Sequence, residues 1–229
     1  ENIMATSGTT TFNLDLNNLV EEAFERCGAE MRTGYDLRTA RRSLNLLTVE
    51  WANRGVNLWT IEEGTLSLTT GTITYNLPTD TIDLIEQVIR TGTGTNQQDI
   101  NINRISAPTY GTIPNKNTTG RPVQVWINRQ ATQPNINVWP APEDNSYTFV
   151  YWALKRIEDA GTGVTTQDIP FRFLPCLVAG LAFYLSLKIP QAGDRTQFLK
   201  QEYEEQWALA STEDRDKATL RIAPRRQHI

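Results

Sequence analysis

Apolar residues recur at helical spacing at both ends of the chain and at period two in the middle. After Asp15, the residues Leu16, Leu19, Val20, Ala23, Phe24 and Cys27 share one stripe of a 3.6-residue helix. Asp15 is placed to cap that helix and Gly28 to end it. A second helix is expected with Asp36 as its N-cap, burying Leu37, Ala40, Leu44, Leu47 and Trp51 and stopping at Gly55. Arg38, Arg41, Arg42 and Asn45 occupy its other faces. The short link between the two predicts an antiparallel helical hairpin.

From Trp59 to Ala153 the period changes to two. Leu66 and Leu68, then Ile73, Tyr75 and Leu77, alternate with polar residues around Thr70-Gly71, which predicts a hairpin. Further strands are expected at Leu84–Arg90, Ile100–Ile105, Val123–Asn128, Ile136–Trp139 and Tyr147–Ala153. Breaker-rich loops at residues 91–98, 107–122 and 140–146 separate them, and Pro122 and Pro140 flank strands rather than interrupt them. Helical spacing then returns. Asp168 is read as the cap of a helix with Pro170 in its first turn. That helix carries Leu174, Leu177, Val178, Leu181, Leu185 and Ile189 and is stopped by Pro190. Being apolar on nearly every face, it is the expected core helix. A last helix, from about Gly193 to Ala210, buries Leu199, Tyr203, Trp207 and Ala210. The remainder has no sustained apolar period.

The fold class is therefore α+β. An antiparallel bundle of about four helices (residues 12–58 and 168–212) carries an inserted antiparallel β domain (59–158) and an extended C-terminal tail (213–229). The longest apolar run, Leu174 to Leu187, is shorter than the roughly 20 residues that cross a bilayer. With no signal-like stretch near the start, the expectation is a protein made in the cytoplasm and without a membrane partner.

Composition narrows the chemistry. The 229 residues carry 22 basic and 26 acidic side chains, a net charge of −4, so there is no global basic field for gripping nucleic acid. The single histidine, His228, is penultimate. Histidine-dependent nucleophilic catalysis and His-ligated metal sites both need an ordered imidazole within a fold. Two distant cysteines, Cys27 and Cys176, are too few for a disulfide framework or thiolate metal site and read as buried free thiols. Gly92-Thr-Gly94 and Gly161-Thr-Gly163 lack the continuation of a phosphate loop. The adjacent carboxylates Glu62-Glu63, Glu143-Asp144 and Glu204-Glu205 diverge from each other and read as solvated charge. No catalytic residue, cofactor or metal is expected; a wall hydrolase built from two distant carboxylates would need a pair that nothing here singles out.

Three features remain. Trp126, Trp139 and Trp152 lie on expected strands and are assigned first to the core, second to a sugar or partner surface. Arg38, Arg41 and Arg42 form a cluster suited to contact with a neighbouring subunit. From Lys217 onward there is no acid, while Leu220, Arg221, Ile222, Arg225, Arg226 and Ile229 mix basic and apolar character. Such an end can order on a partner, and its last dozen residues could extend roughly 40 Å at about 3.3 Å each.

Two stretches carry a family resemblance. One is Ala40-Arg41-Arg42-Ser43-Leu44-Asn45, continuing to Glu50-Trp51-Ala52-Asn53-Arg54-Gly55, Trp59 and Ile61-Glu62-Glu63-Gly64. The other is Asp168-Ile169-Pro170-Phe171-Arg172-Phe173-Leu174-Pro175 with the helix after it. In this order and spacing the chain resembles the head-to-tail adaptor proteins of short-tailed bacteriophages, also called tail tubular protein A or gatekeeper-ring subunits. The resemblance implies a virion protein without catalytic residues, at the head–tail junction. It implies a ring of twelve copies beneath the portal protein, with helices around a channel through which DNA passes without sequence-specific binding. It further implies that the C-terminal extension docks on portal subunits and that the β domain faces the tail nozzle protein and fibres. A different class, a β-rich carbohydrate-binding or host-recognition tail protein, would rest on the strand tryptophans.

Overall fold

The computed structural model describes residues 8–32, 34–55 and 58–214. These form a mixed α+β chain with five helices, α1 (Leu16–Arg26), α2 (Gly34–Arg54), α3 (Ala107–Gly111), α4 (Leu174–Ser186) and α5 (Thr196–Glu213). Eight strands run between α2 and α4: β1 (Ile61–Ser67), β2 (Thr74–Asn76), β3 (Thr81–Thr91), β4 (Gln98–Asn101), β5 (Asn103–Ile105), β6 (Gln124–Asn128), β7 (Asn135–Trp139) and β8 (Thr148–Lys155). The chain divides into two compact units, residues 1–47 with 160–229, and residues 48–159. The division falls within α2.

In the helical unit, α1 is closed at both ends. Its first free N–H groups all find acceptors. Leu16 donates to the Thr165 carbonyl (3.0 Å), Asn17 to that of Gly163 (3.0 Å), Asn18 to Asp15 Oδ1 (2.8 Å) and Leu19 to the Asp15 carbonyl (2.9 Å). At the other end Gly28 takes φ +74°, Gly28 N–H donates to Glu25 O and Ala29 N–H to Phe24 O, the paired bonds of a Schellman motif. The stripe from Leu16 to Cys27 is buried throughout.

α4 is the centre of this unit. Nearly all its side chains are buried, and it packs against both α1 and α5. Gly180 sets the closest approach: a Cβ there would lie 2.9 Å from Leu47 of α2 and 2.9 Å from the Tyr203 ring of α5. The α5 stripe Leu199, Tyr203, Trp207 and Ala210 is buried as the spacing predicts. Two helix starts differ from the sequence reading. Asp36 lies in the first turn of α2, which begins at Gly34; its carboxylate accepts the Arg32 N–H (3.1 Å). Asp168 does not cap α4 either. Pro170 opens a 3₁₀ turn at Phe171–Phe173, and α4 follows with Pro175 in its first turn, where a missing N–H leaves no bond unmade.

The β unit consists of two four-stranded sheets, ordered β1-β8-β3-β4 and β2-β7-β6-β5. One hydrophobic cluster draws on both: Leu84, Ile89, Phe149 and Tyr151 from the first, Val125, Ile127, Ile136 and Val138 from the second. All pairings are antiparallel except β5–β6, which is parallel and departs from the expected antiparallel unit. The Thr70-Gly71 turn forms, with Gly71 at φ +73° and Thr72 N–H on the Thr69 carbonyl (3.0 Å), but it does not close a hairpin. β1 pairs with β8 and β2 with β7, so the turn carries the chain from one sheet to the other. The expected strand Ile100–Ile105 likewise splits at Ile102: β4 joins the first sheet, β5 the second, and Ile102 is buried in the core between them. Alternation specifies which face is buried, and this is satisfied whichever sheet supplies the ladder.

Candidate partner-binding surfaces

Arg38, Arg41 and Arg42 of α2 do not act together. On a helix, residues four apart stack one turn above another. Arg38 and Arg42 do so, both are exposed, and neither makes an ion pair among the described residues. Arg41 points about 100° away from Arg42. Its Nη2 donates to the Ala160 carbonyl (3.1 Å), while Asn45 Oδ1 accepts the Ala160 N–H (2.8 Å). Arg41 and Asn45 therefore hold residue 160 between them. Below Arg42, Lys188 Nζ donates to Ser43 Oγ (2.6 Å). Burial, with the charge of Arg42 added, holds that ammonium below the ordinary lysine range.

A groove of about 860 Å³ lies elsewhere on the helical unit, between the outer face of α1, the segment before it and the start of α4. Leu174 and Val178 form part of its lining and Phe12 and Phe171 stand exposed at its edges. Its acidic side comes from α1. Glu22 accepts from Arg26 Nε (2.9 Å), and Arg26 Nη1 also donates to Glu202 of α5 (2.7 Å). Glu21 and Glu25 are exposed, one turn apart, and make no ion pair among the described residues. Next to Phe171, Arg172 pairs with the buried carboxylate of Asp214, which fixes the end of α5. The apolar edge is not visible as such in the sequence, because Phe12 and Phe171 belong to none of the apolar stripes and their spacing does not mark a surface. The carboxylates are legible: Glu21 and Glu25 lie off the buried stripe of α1 at i,i+4 spacing.

The other sequence candidates fall as follows. Lys217, Leu220, Arg221, Ile222, Arg225, Arg226 and Ile229, with His228, lie outside the described residues. Trp126, Trp139 and Trp152 are half-buried and alternate with core residues, so they stand on outer sheet faces and not in the core. Tyr110 of α3 stacks on Trp126 with ring centroids 5.1 Å apart, and Trp139 Nε1 donates to the Asn115 carbonyl (3.0 Å). These two rings hold down the chain's own 107–118 segment. The paired acids are engaged: Glu62 with Lys155 (2.8 Å), Glu63 with Arg90 (3.9 Å), Glu143 with the Tyr147 hydroxyl (2.9 Å) and Glu205 with Gln201 (2.9 Å). The 161–165 loop serves as the acceptor for the start of α1. Both cysteines are free and buried. Cys27 Sγ donates to Ala182 O (3.2 Å), and burial pushes its thiol up to about 11. No group of three potential metal ligands occurs among the described residues, and none of their helices is long and apolar enough to cross a membrane.

Residues 14–227 match the model of a family described as SU10 adaptor protein. No curated protein matches the chain.

Proposed function

The chain belongs to the SU10 adaptor protein family, which makes it a structural adaptor protein of a bacteriophage virion, and from that premise we propose that it is the repeating subunit of a head-to-tail ring. Twelve copies sit between portal and tail nozzle, around the channel through which DNA leaves. α1, α2, α4 and α5 act as one bundle. The tail, residues 213–229, docks on portal subunits through Leu220, Arg221, Ile222, Arg225, Arg226 and Ile229. The β domain meets the tail nozzle protein and fibres. The ring works without catalysis or cofactor, and DNA passes without being read. A net charge of −4 suits a conduit, since a strongly basic wall would hold DNA by phosphate contacts and slow it.

The observation that carries this reading is the family match across nearly the whole chain, from residue 14 to residue 227. Two features support it: the helical unit presents, on two faces, charged side chains that make no ion pair among the described residues, and the sequence is acid-free from Lys217 to Ile229. The test is a mass measurement. Portal rings of the same virus are sedimented with and without the purified chain. A saturating gain of many copies per ring is expected, and removal of Arg221–Ile229 abolishes it. A folded chain that adds nothing to intact portal rings refutes the proposal. A truncated chain that binds at full strength refutes the role of the tail.

A further inference from the structure

Among the described residues of the helical unit, two charge pairs that make no ion pair match each other in spacing and are opposite in sign. Arg38 and Arg42 stand four residues apart on α2, Glu21 and Glu25 four residues apart on α1; at 1.5 Å per residue each pair spans about 6 Å along its helix. Both pairs are bordered by exposed apolar side chains. Tyr35 (65% exposed) and Leu46 (54%) continue the α2 stripe, and Phe12 (76%) and Phe171 (78%) edge the groove beside α1. At 100° per residue, Tyr35, Arg38, Arg42 and Leu46 fall within an arc of about 80°. That arc lies opposite Ala40, Leu44 and Leu47, the buried face, and it is Leu47 that touches Gly180 of α4. The stripe therefore points away from the helix whose N-terminal half lines the groove. A chain cannot fold its own stripe into its own groove without losing the α2–α4 contact.

We propose that the α2 stripe of one copy docks in the α1/α4 groove of the next. Arg38 and Arg42 meet Glu21 and Glu25, and Tyr35 and Leu46 cover the apolar edge formed by Phe12 and Phe171. The contact joins two different surfaces, so it is heterologous, the kind of contact that forms a ring when its rotation closes. The inference rests on the ring reading above and names the surfaces that would make the ring. Unpaired arginines and carboxylates bordered by apolar surface have the composition of an interface rim, and the electrostatic part selects register and neighbour. The groove takes the second copy's α2 in preference to the chain's own tail, because the arginine spacing matches the glutamate spacing and both are held on rigid helices.

The test uses full-length chains with portal rings of the same virus, read by sedimentation at low and at physiological salt. Two charge-reversed variants are made, Arg38→Glu/Arg42→Glu and Glu21→Lys/Glu25→Lys; all four positions are exposed, so folding is retained and checked by circular dichroism. Each variant alone loses assembly on the portal by roughly tenfold or more in half-saturating concentration at low salt, less at physiological salt, where screening acts over about 8 Å. The two variants mixed in equal amounts recover assembly, because alternating copies restore complementary contacts, and so does the single chain carrying all four changes. Recovery on mixing supports a contact between copies. If wild type adds many copies per portal ring and both variants do the same with unchanged affinity, the contact is refuted and the ring stands. If both variants lose assembly but neither mixing nor the fourfold change restores it, the pairing is refuted. If removing residues 217–229 abolishes assembly while Arg38→Glu/Arg42→Glu has no effect, the groove does not hold α2 and the proposal fails. Wild type adding no copies refutes the ring reading and this contact together.

Discussion

Gly180→Ala tests the packing on which the helical unit depends. In an open helix interior, replacing glycine with alanine is favourable by about 1 kcal/mol, because glycine loses more backbone freedom on folding. At Gly180 the added Cβ would lie 2.9 Å from both Leu47 methyls and from Tyr203 Cε2. Carbon atoms prefer about 3.5–4.0 Å, so the new methyl intrudes by roughly 0.6–1 Å. The Leu47 methyls can rotate; the Tyr203 ring is buried and stacks on Phe183 with centroids 6.3 Å apart, so it has little room to yield. Overpacking of this kind costs about 1–3 kcal/mol, which exceeds the helix gain and leaves a net loss of about 1 kcal/mol, or about 2–4 °C in Tm for a chain of this length. Gly34→Ala is the control: it sits at the first position of α2 with nothing within 4 Å, and is expected to be neutral or slightly stabilising. Urea unfolding of wild type, both alanine variants, Leu47→Ala and the Gly180→Ala/Leu47→Ala pair gives the free energies. Leu47→Ala alone costs about 2–5 kcal/mol and costs less in the Gly180→Ala background, since the vacated space admits the new methyl. A Gly180→Ala protein more stable than wild type, or additive costs in the double variant, would refute the close approach of α2 and α5 on α4.

Three further expectations follow from individual contacts. Asp15→Ala removes the acceptor for the Asn18 N–H and is expected to cost about 1 kcal/mol in urea unfolding, while Asp15→Asn is nearly neutral; equal losses in both would show that the cap is not the cause. Burial raises the Cys27 thiol from its usual 9.0 to about 11, so the unfolded chain ionises first as pH rises. The stability that wild type gains from its protonated thiol is complete below pH 9.0 and is lost between there and about 11, a change of about 2–3 kcal/mol relative to Cys27→Ala; a difference that stays constant across that window contradicts the assignment. Arg90 Nε and Nη2 donate to Asp99 (2.8 and 2.9 Å) and hold its carboxyl below the usual range. Arg90→Gln is expected to return Asp99 to that range in a carbon-detected NMR titration, and an unmoved midpoint would mean the arginine is not the cause.

What can be read from the sequence divides along physical lines. Helix faces are legible because burial depends on spacing alone: the stripes from Leu16 to Cys27 and from Leu199 to Ala210 are buried as spaced. Caps are legible where the signal is local, as at Asp15 and Gly28. Asp168 misleads because an acid before an apolar run looks the same whether a helix or a 3₁₀ turn follows. Strand existence is legible and strand pairing is not. Ile102 buries its side chain whether the chain continues in one sheet or crosses to the other, and at Thr70-Gly71 a turn signal specifies a reversal without naming the strands it joins. The strand preference for aromatics assigns the tryptophans at 126, 139 and 152 first to the core; their alternation with Val125, Val138 and Tyr151 already places them on the opposite face. Of the candidate surfaces, the arginine cluster can be seen but not divided, because what separates Arg41 from its neighbours is a carbonyl at residue 160, more than a hundred positions away.

The distribution of engaged and unengaged groups argues for what the helical unit does. Among the described residues, the side chains with chemical potential are mostly committed. Cys27 is protonated and bonded to a buried carbonyl, Arg41 is bonded to Ala160, and Arg26 is shared by two glutamates. In the β unit, Asp83 lies within ion-pair distance of both Arg104 (2.8 Å) and Arg129 (3.5 Å), and Lys155 of both Glu62 and Asp80. Against that background the exposed pairs Arg38/Arg42 and Glu21/Glu25 stand out, each bordered by phenylalanine, tyrosine or leucine that the described residues leave uncovered. Acidic and basic side chains exposed beside apolar surface, and without an ion pair among the described residues, gain most from meeting their complement on another molecule, since only then are charge and apolar area satisfied in the same step. A chain that carries both halves of such a contact on two different faces fits the proposed contact between copies, and the proposed ring is its closed form.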